Sequence, residues 1–288
     1  MYRFFSIICF LICLTFSFLS FSQVGVGEWR SHISYNTIRS VAASPEAIYA
    51  SSEVGVQIYR KNEDQFQHLS TVNGLSEVSI SEIYYSKTWE RLFIGYESGA
   101  LDVLRNEEIT YYSQISEQSF YSNTTINHFM DFQELILLGT DFGVVEFDPS
   151  TGKFLNTFNL RNGEVIPVYD LTMNAEFIYA ASQKGVFFAP KDSDLTRPAN
   201  WTRMNFLVEF DQSFNALVTF NGQLVVNYSN DQGNDRVYLV ESNSSAQLLS
   251  NASEAVRDLH VSDDLLYVAT NHSLDMYQGK LTQTASYS

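Results

Sequence analysis

The stretch Ile136-Leu137-Leu138-Gly139-Thr140-Asp141-Phe142-Gly143-Val144-Val145-Glu146-Phe147 decides the fold. Three apolar residues run consecutively, a small residue follows, a short polar step leads to Gly143, and apolar residues resume. A helix would place its apolar residues at i, i+3, i+4 and i+7, and this stretch does not. Consecutive rather than alternating apolar residues mark a strand buried on both faces. Gly143 supplies the positive φ that a tight hairpin turn asks for. The stretch therefore reads as a buried β-hairpin.

The same wording recurs along the chain. Ile48-Tyr49-Ala50-Ser51 leads to Gly55, Leu92-Phe93-Ile94-Gly95 to Gly99, and Ile178-Tyr179-Ala180-Ala181 to Gly185. Leu224-Val225-Val226-Asn227 leads through a longer polar turn to Val237, and Leu266-Tyr267-Val268-Ala269 leads to Leu274. The position before the turn falls at 51, 95, 139, 181, 227 and 269, in steps of 44, 44, 42, 46 and 42. Upstream of each copy lies another apolar segment: Ile38–Ala42, Ile80–Tyr84, Ile126–Phe129, Val168–Leu171, Ala216–Phe220 and Val256–His260. Downstream of the first five lies a more polar one, such as Phe66–Leu69 or Trp201–Asn205. Four strands per repeat of this length predict an all-β chain, a β-propeller of four-stranded blades with six repeats visible over residues 24–288. Gly55, Gly99, Gly143 and Gly185 are the expected blade-turn residues. Glu28-Trp29-Arg30-Ser31-His32-Ile33 resembles Asn200-Trp201-Thr202-Arg203-Met204-Asn205, so it is expected as an outer strand completing the last blade. Either six blades close the ring, or a seventh lies beyond this chain.

Ahead of the repeats, residues 1–22 read as a signal peptide. Arg3 opens it, an apolar run spans Phe4 to Leu19, and Ser20 and Ser22 sit where small residues precede a cleavage point. Cleavage is expected between Ser22 and Gln23, followed by export to the periplasm or the outer-membrane surface. Both cysteines, Cys9 and Cys13, fall within this leader, so the exported domain has no disulfide and depends on its core. The 288-residue chain carries 17 Lys and Arg against 33 Asp and Glu, a formal charge of −16. Loss of Arg3 with the leader takes it to −17. Such a balance argues against nucleic acid as a partner. No second apolar stretch is long enough to span a bilayer.

Chemistry-bearing motifs are few. His32, His68, His128, His260 and His272 sit in different repeats with no metal-ligand spacing, and read as structural or solvated. Asn230-Asp231-Gln232-Gly233-Asn234-Asp235 has oxygen donors but lacks the calcium-loop pattern, and reads as a long polar turn. Glu107-Glu108 and Asp263-Asp264 are adjacent pairs whose side chains diverge. No nucleophile elbow, phosphate loop or dinucleotide fingerprint occurs, so neither a catalytic residue nor a cofactor is expected. Exposed aromatic residues can anchor a protein or stack on a sugar. Tyr111, Tyr112, Phe120 and Tyr121, near loops, are the interface candidates.

The repeat is similar to that of the two-component-regulator propellers of Bacteroidetes. Asn73-Gly74-Leu75-Ser76 supplies the N-G-L start, Leu92-Phe93-Ile94-Gly95-Tyr96 the second strand, and Gly139-Thr140-Asp141-Phe142-Gly143 the G-T-x-x-G core. Phe93, Leu137 and Tyr179 stand where that repeat often has Trp. The opening Gly27-Glu28-Trp29-Arg30-Ser31-His32-Ile33-Ser34-Tyr35-Asn36 resembles the PorZ family of the type IX secretion system, in its N-terminal propeller. That resemblance, covering about residues 24–288, implies a non-enzymatic surface scaffold. Its implied partners are other secretion or attachment-complex proteins and anionic lipopolysaccharide. Two rival functions remain: the ligand-sensing propeller of a two-component regulator, and a polysaccharide lyase or hydrolase on a propeller scaffold.

Overall fold

The computed structural model describes residues 35, 37–117, 121–207, 209–230, 232–242, 245–251, 254–279 and 282–287. It is a six-bladed propeller of four-stranded antiparallel blades, each sheet running in chain order from its first strand to its fourth. The blades occupy residues 40–70, 80–112, 126–158, 168–203, 214–251 and 256–287. Their first strands are Ser40–Ala43, Ile80–Ser86, Ile126–Phe132, Val168–Met173, Phe214–Phe220 and Val256–Ser262. From blade one to blade six each first strand packs on the next, which makes these the innermost strands.

The second strands explain the sequence pattern. In blades two to four they are Arg91–Tyr96, Leu135–Thr140 and Phe177–Ser182, and nearly every residue is buried. Alternate side chains serve opposite interfaces. Leu92 and Ile94 pack with blade one, whereas Phe93 packs with blade three. The small residue before the turn faces the next innermost strand. A Cβ at Gly95 would lie 2.9 Å from Ile126, and one at Gly139 would lie 3.1 Å from the Val168 carbonyl. The residue that follows is often a hydroxyl that closes the turn. Ser52, Thr140, Ser182 and Thr270 each donate to the carbonyl of the third residue onward.

The turn glycines have two causes. Gly99, Gly143 and Gly185 do adopt positive φ, +83°, +132° and +110°. Gly55 does not, so the conformational reason fails there. A Cβ at Gly55 would instead lie 2.5 Å from the Leu69 carbonyl, and the need is for close backbone approach.

The sixth blade differs from expectation. Its fourth strand is its own, Thr282–Tyr287, so the place foreseen for Glu28–Ile33 is already filled. Residues 28–33 lie outside the described residues. The outer strand of blade four is shortened to Thr202–Arg203, because the turn Pro198–Asn200 precedes it and Trp201 points inward, donating its indole N–H to the Leu195 carbonyl at 2.9 Å.

Hydrophobic clusters join blades one to two, two to three, three to four, four to five and five to six. Among the described residues none joins six to one, and the innermost strands of those two blades do not pack as the others do. Ile48 reports the difference directly. It is 40% exposed, while Leu92, Ile136, Ile178, Leu224 and Leu266 at the same step of their blades are at most 2% exposed.

Candidate functional site

The six innermost strands bring one side chain each to equivalent positions along the axis. Pairing registers opposite Ser51, Gly95, Gly139, Ala181, Asn227 and Ala269 identify them as Ser40, Glu82, His128, Asp170, Ala216 and Asp258. In blades two to six a register shift precedes this residue, and the bulge re-aims the side chain before it. In blades two, three and five this bulge side chain reaches the next blade. Ser81 donates to the Ile126 carbonyl at 2.6 Å, Asn127 to Val168 at 3.0 Å and Asn215 to Val256 at 3.4 Å. Arg39 does the same from blade one, at 3.1 Å from the Ile80 carbonyl.

The axial groups interact across blades. Glu82 accepts from the Ser40 hydroxyl and, at 2.9 Å, from the Ile83 N–H. Burial pushes its carboxyl up to about 7, against the opposing pull of the Ser40 hydrogen bond and the His128 charge. Asp170 accepts N–H groups from Leu171 at 2.7 Å and from Leu217 of blade five at 2.8 Å. Its carboxyl lies 3.1 Å from Nδ1 of His128. Burial raises Asp170 and lowers His128, so this pair favours the uncharged forms. Asp258 is open to solvent yet ringed by protein, and burial raises it as well. Burial thus favours uncharged forms along the axis, while its polar atoms tie blades together. Among the described residues no group of three or more His, Cys, Asp or Glu is placed to hold a metal ion.

Sequence reasoning passed over this set because its members lie in different repeats. A signal existed: each sits eleven residues before the small residue of its copy, thirteen in the second. The polar turn in blade five has an equally structural use for its last carboxylate. Asp235 accepts from Asn230, Asn227 and Val256, which joins blade five to blade six.

A second candidate is a cavity of about 600 Å³ between blades one and two. Tyr49 and Tyr85 stack in its wall with centroids 6.2 Å apart and planes 13° from parallel. Arg60, Gln67 and Asn106 add planar polar groups, and Arg60 bridges to Glu107 at 2.9 Å. Aromatic faces beside amide and guanidinium groups suit a ligand with both apolar and hydroxyl surfaces.

The interface candidates separate. Tyr111 is exposed and donates its hydroxyl to Glu77 at 2.5 Å, a contact that pushes its pKa up to about 12. Tyr112 and Tyr121 pack on the core between blades two and three. Tyr112 lies edge-on to Phe147 at 5.1 Å, and Tyr121 stacks on Phe142 at 4.3 Å. Phe120, Ser22 and Gln23 lie outside the described residues. No helix among the described residues is long and apolar enough to cross a membrane.

Comparison with known proteins follows the same lines. The chain is similar in structure to PorZ, described as an essential bacterial surface component of the type IX secretion system of Porphyromonas gingivalis, with a TM-score of 0.74 at 20% identity. The match covers 91% of this chain and 34% of PorZ, so the chain spans about a third of that protein's length. The extracellular domain of a candidate hybrid two-component system from B. thetaiotaomicron superposes with a TM-score of 0.66 at 12% identity, covering 92% of this chain and 36% of that one. The computationally designed Ika8 protein gives 0.56 at 12% identity, covering 85% and 72%. At these identities the superpositions establish the fold. No curated protein sequence matches. The family model for the N-terminal β-propeller domain of PorZ in type IX secretion matches residues 48–202, more than half of the chain. This chain therefore belongs to the PorZ N-terminal β-propeller family of the type IX secretion system.

Proposed function

We propose that this propeller is a non-enzymatic binding scaffold at the bacterial surface, where it helps attach secreted cargo. Its partners in this reading are other type IX secretion or attachment-complex proteins, with anionic lipopolysaccharide as the glycan bound. The family match over residues 48–202 carries the reading. Two features of the chain support it. The axial polar groups bond to neighbouring blades, as a rigid scaffold requires. The exposed Tyr111 and the Tyr49–Tyr85 cavity offer aromatic surface to a protein or a sugar. Tyr111 is the protein-facing anchor in this proposal, and removal of residues 1–22 after Ser22 precedes assembly.

The test is a native pull-down from detergent-solubilised envelope of the protein's own cell, read by mass spectrometry. Secretion and attachment proteins are expected to co-purify, with recovery reduced about tenfold by Tyr111→Ala, the scale of a lost interface anchor. Recovery of none of these proteins overturns the reading.

A further inference from the structure

Blade two places two arginines side by side with no carboxylate to answer them. Leu92 pairs with Leu104, so Arg91, one step before, and Arg105, one step after, are neighbours on adjacent strands. Both share the face of Phe93 and Val103, which is turned towards blade three. Like charges so placed repel. The other blades do not repeat the arrangement. At the same step Ala47 stands opposite Arg60, Phe177 opposite Pro190 and Leu265 opposite Gln278, while the second strands of blades three and five begin with Leu135 and Gln223. Elsewhere arginines are neutralised: Arg39, Arg60, Arg161, Arg197, Arg203 and Arg236 each meet a carboxylate. Among the described residues Arg91 and Arg105 meet none, although Asp and Glu outnumber Lys and Arg by 33 to 17.

The two arginines line a cavity of about 280 Å³ with Val103, Asn106, Glu108, Thr110 and Tyr112. Glu108 lies opposite Arg105 in the ladder, yet its carboxylate closes on neither guanidinium. Arg91 is held in place. It donates one N–H to the Pro149 carbonyl of blade three at 2.6 Å, and its guanidinium lies 5.7 Å from the centre of the Trp89 ring. Its Nε is nonetheless buried without a hydrogen-bond partner, and so is the indole N–H of Trp89. Buried polar groups are seldom left unmet. Both of these are donors, so what they lack is an acceptor, and the two neighbouring positive charges ask for an anionic one. We propose that this cavity binds a phosphoryl group, as free phosphate or as a phosphate monoester, held by the guanidinium groups of Arg91 and Arg105. The planar guanidinium fork matches phosphate oxygens in pairs. A carboxylate offers two oxygens, whereas a phosphoryl group offers three, enough for both forks and a further donor from Asn106 or Thr110. The inference rests on register, charge and unmet donors, and does not depend on the secretion role.

Isothermal titration calorimetry of the protein with inorganic phosphate, and separately with glucose 6-phosphate, tests this. Saturable binding of at least one of them is expected. Tighter binding of the sugar phosphate assigns the site to a monoester, and equal or tighter binding of inorganic phosphate assigns it to the free ion. Arg105→Ala should weaken binding about tenfold or more, the scale of one charge-assisted hydrogen bond. Arg105 is exposed, so its loss leaves the fold intact, and a thermal melt checks that. Arg161→Ala is the control. It removes a guanidinium from a separate cavity of about 510 Å³, where Arg161, Arg197 and Arg203 already have carboxylate partners. It should leave phosphate binding within about twofold. No saturable binding of either probe, binding unchanged in Arg105→Ala, or an equal loss from the two substitutions overturns the proposal.

Discussion

The interface between blades one and two and the seam between blades six and one use the same sheet of blade one, facing opposite ways. Towards blade two, Ala47 and Ile58 are buried with Leu92 and Ile94. Towards the seam, Ile48 and Val41 stay exposed although their residue types are just as apolar. The difference teaches that the repeat specifies each blade as a two-faced sheet without regard to its neighbour. Burial is then conferred by whatever sheet stands alongside.

The largest test of this contrast removes the same methyl groups from both settings. Leu92→Ala opens a cavity inside a closed interface and should cost about 2–5 kcal/mol. Ile48→Ala, at the same step of blade one, should cost less than about 1 kcal/mol in the protein of residues 1–288, because its side chain already meets solvent. Urea unfolding of the two variants measures the gap directly. Equal losses would mean that the seam is closed in solution.

A second test strikes the turns, where the chain itself is the neighbour. At Gly185 an added Cβ would collide with the Phe210 carbonyl, and φ is +110°. Gly163 has positive φ, +75°, but nothing within 4 Å. Gly163→Ala should therefore cost only the backbone term, about 1–2 kcal/mol. Gly185→Ala should exceed it by a further ~1–3 kcal/mol of overpacking. Similar melting temperatures for the two variants would refute the close-approach argument.

These comparisons also show why part of the molecule was legible in sequence. The hairpins, their period and the turn glycines are local, so apolar runs and a regular small residue revealed them. The fourth strand of blade six, Thr282–Tyr287, escaped because its residues are largely polar. The axial set escaped for a different reason. Glu82, His128, Asp170 and Asp258 belong to four repeats, and only the ring closes the distance between them. Tyr112 and Tyr121 look like surface aromatics by spacing, yet rings from Phe147 and Phe142 cover them. Nothing in the spacing separates them from Tyr111, which stays exposed.

The subtlest expected effect is on pH, and it contrasts the axial position in a closed interface with that at the seam. Burial pushes the Glu82 carboxyl up to about 7 from an ordinary value of 4.5. Its folded form binds a proton more tightly than its unfolded form, so its contribution is fully present below about pH 4.5. That contribution is lost as pH rises through about 7. Ser40, the Ile83 N–H, His128 and Asp258 are the groups that face it, and only burial and Asp258 push it upward. Glu82→Gln keeps an acceptor for the Ile83 N–H and removes the buried charge. The variant should match the parent below about pH 4.5 and melt several degrees higher above pH 7, at about 2–4 °C per kcal/mol. Asp258 is raised by burial too, but it stands beside the seam and open to solvent, so Asp258→Asn should move the same profile less. His128, lowered by burial, acts with the opposite sign and is common to both variants. Melting curves from pH 4 to 9 decide the matter. A larger shift for Asp258→Asn than for Glu82→Gln would place the tighter burial at the seam and reverse the contrast between the two sides of blade one.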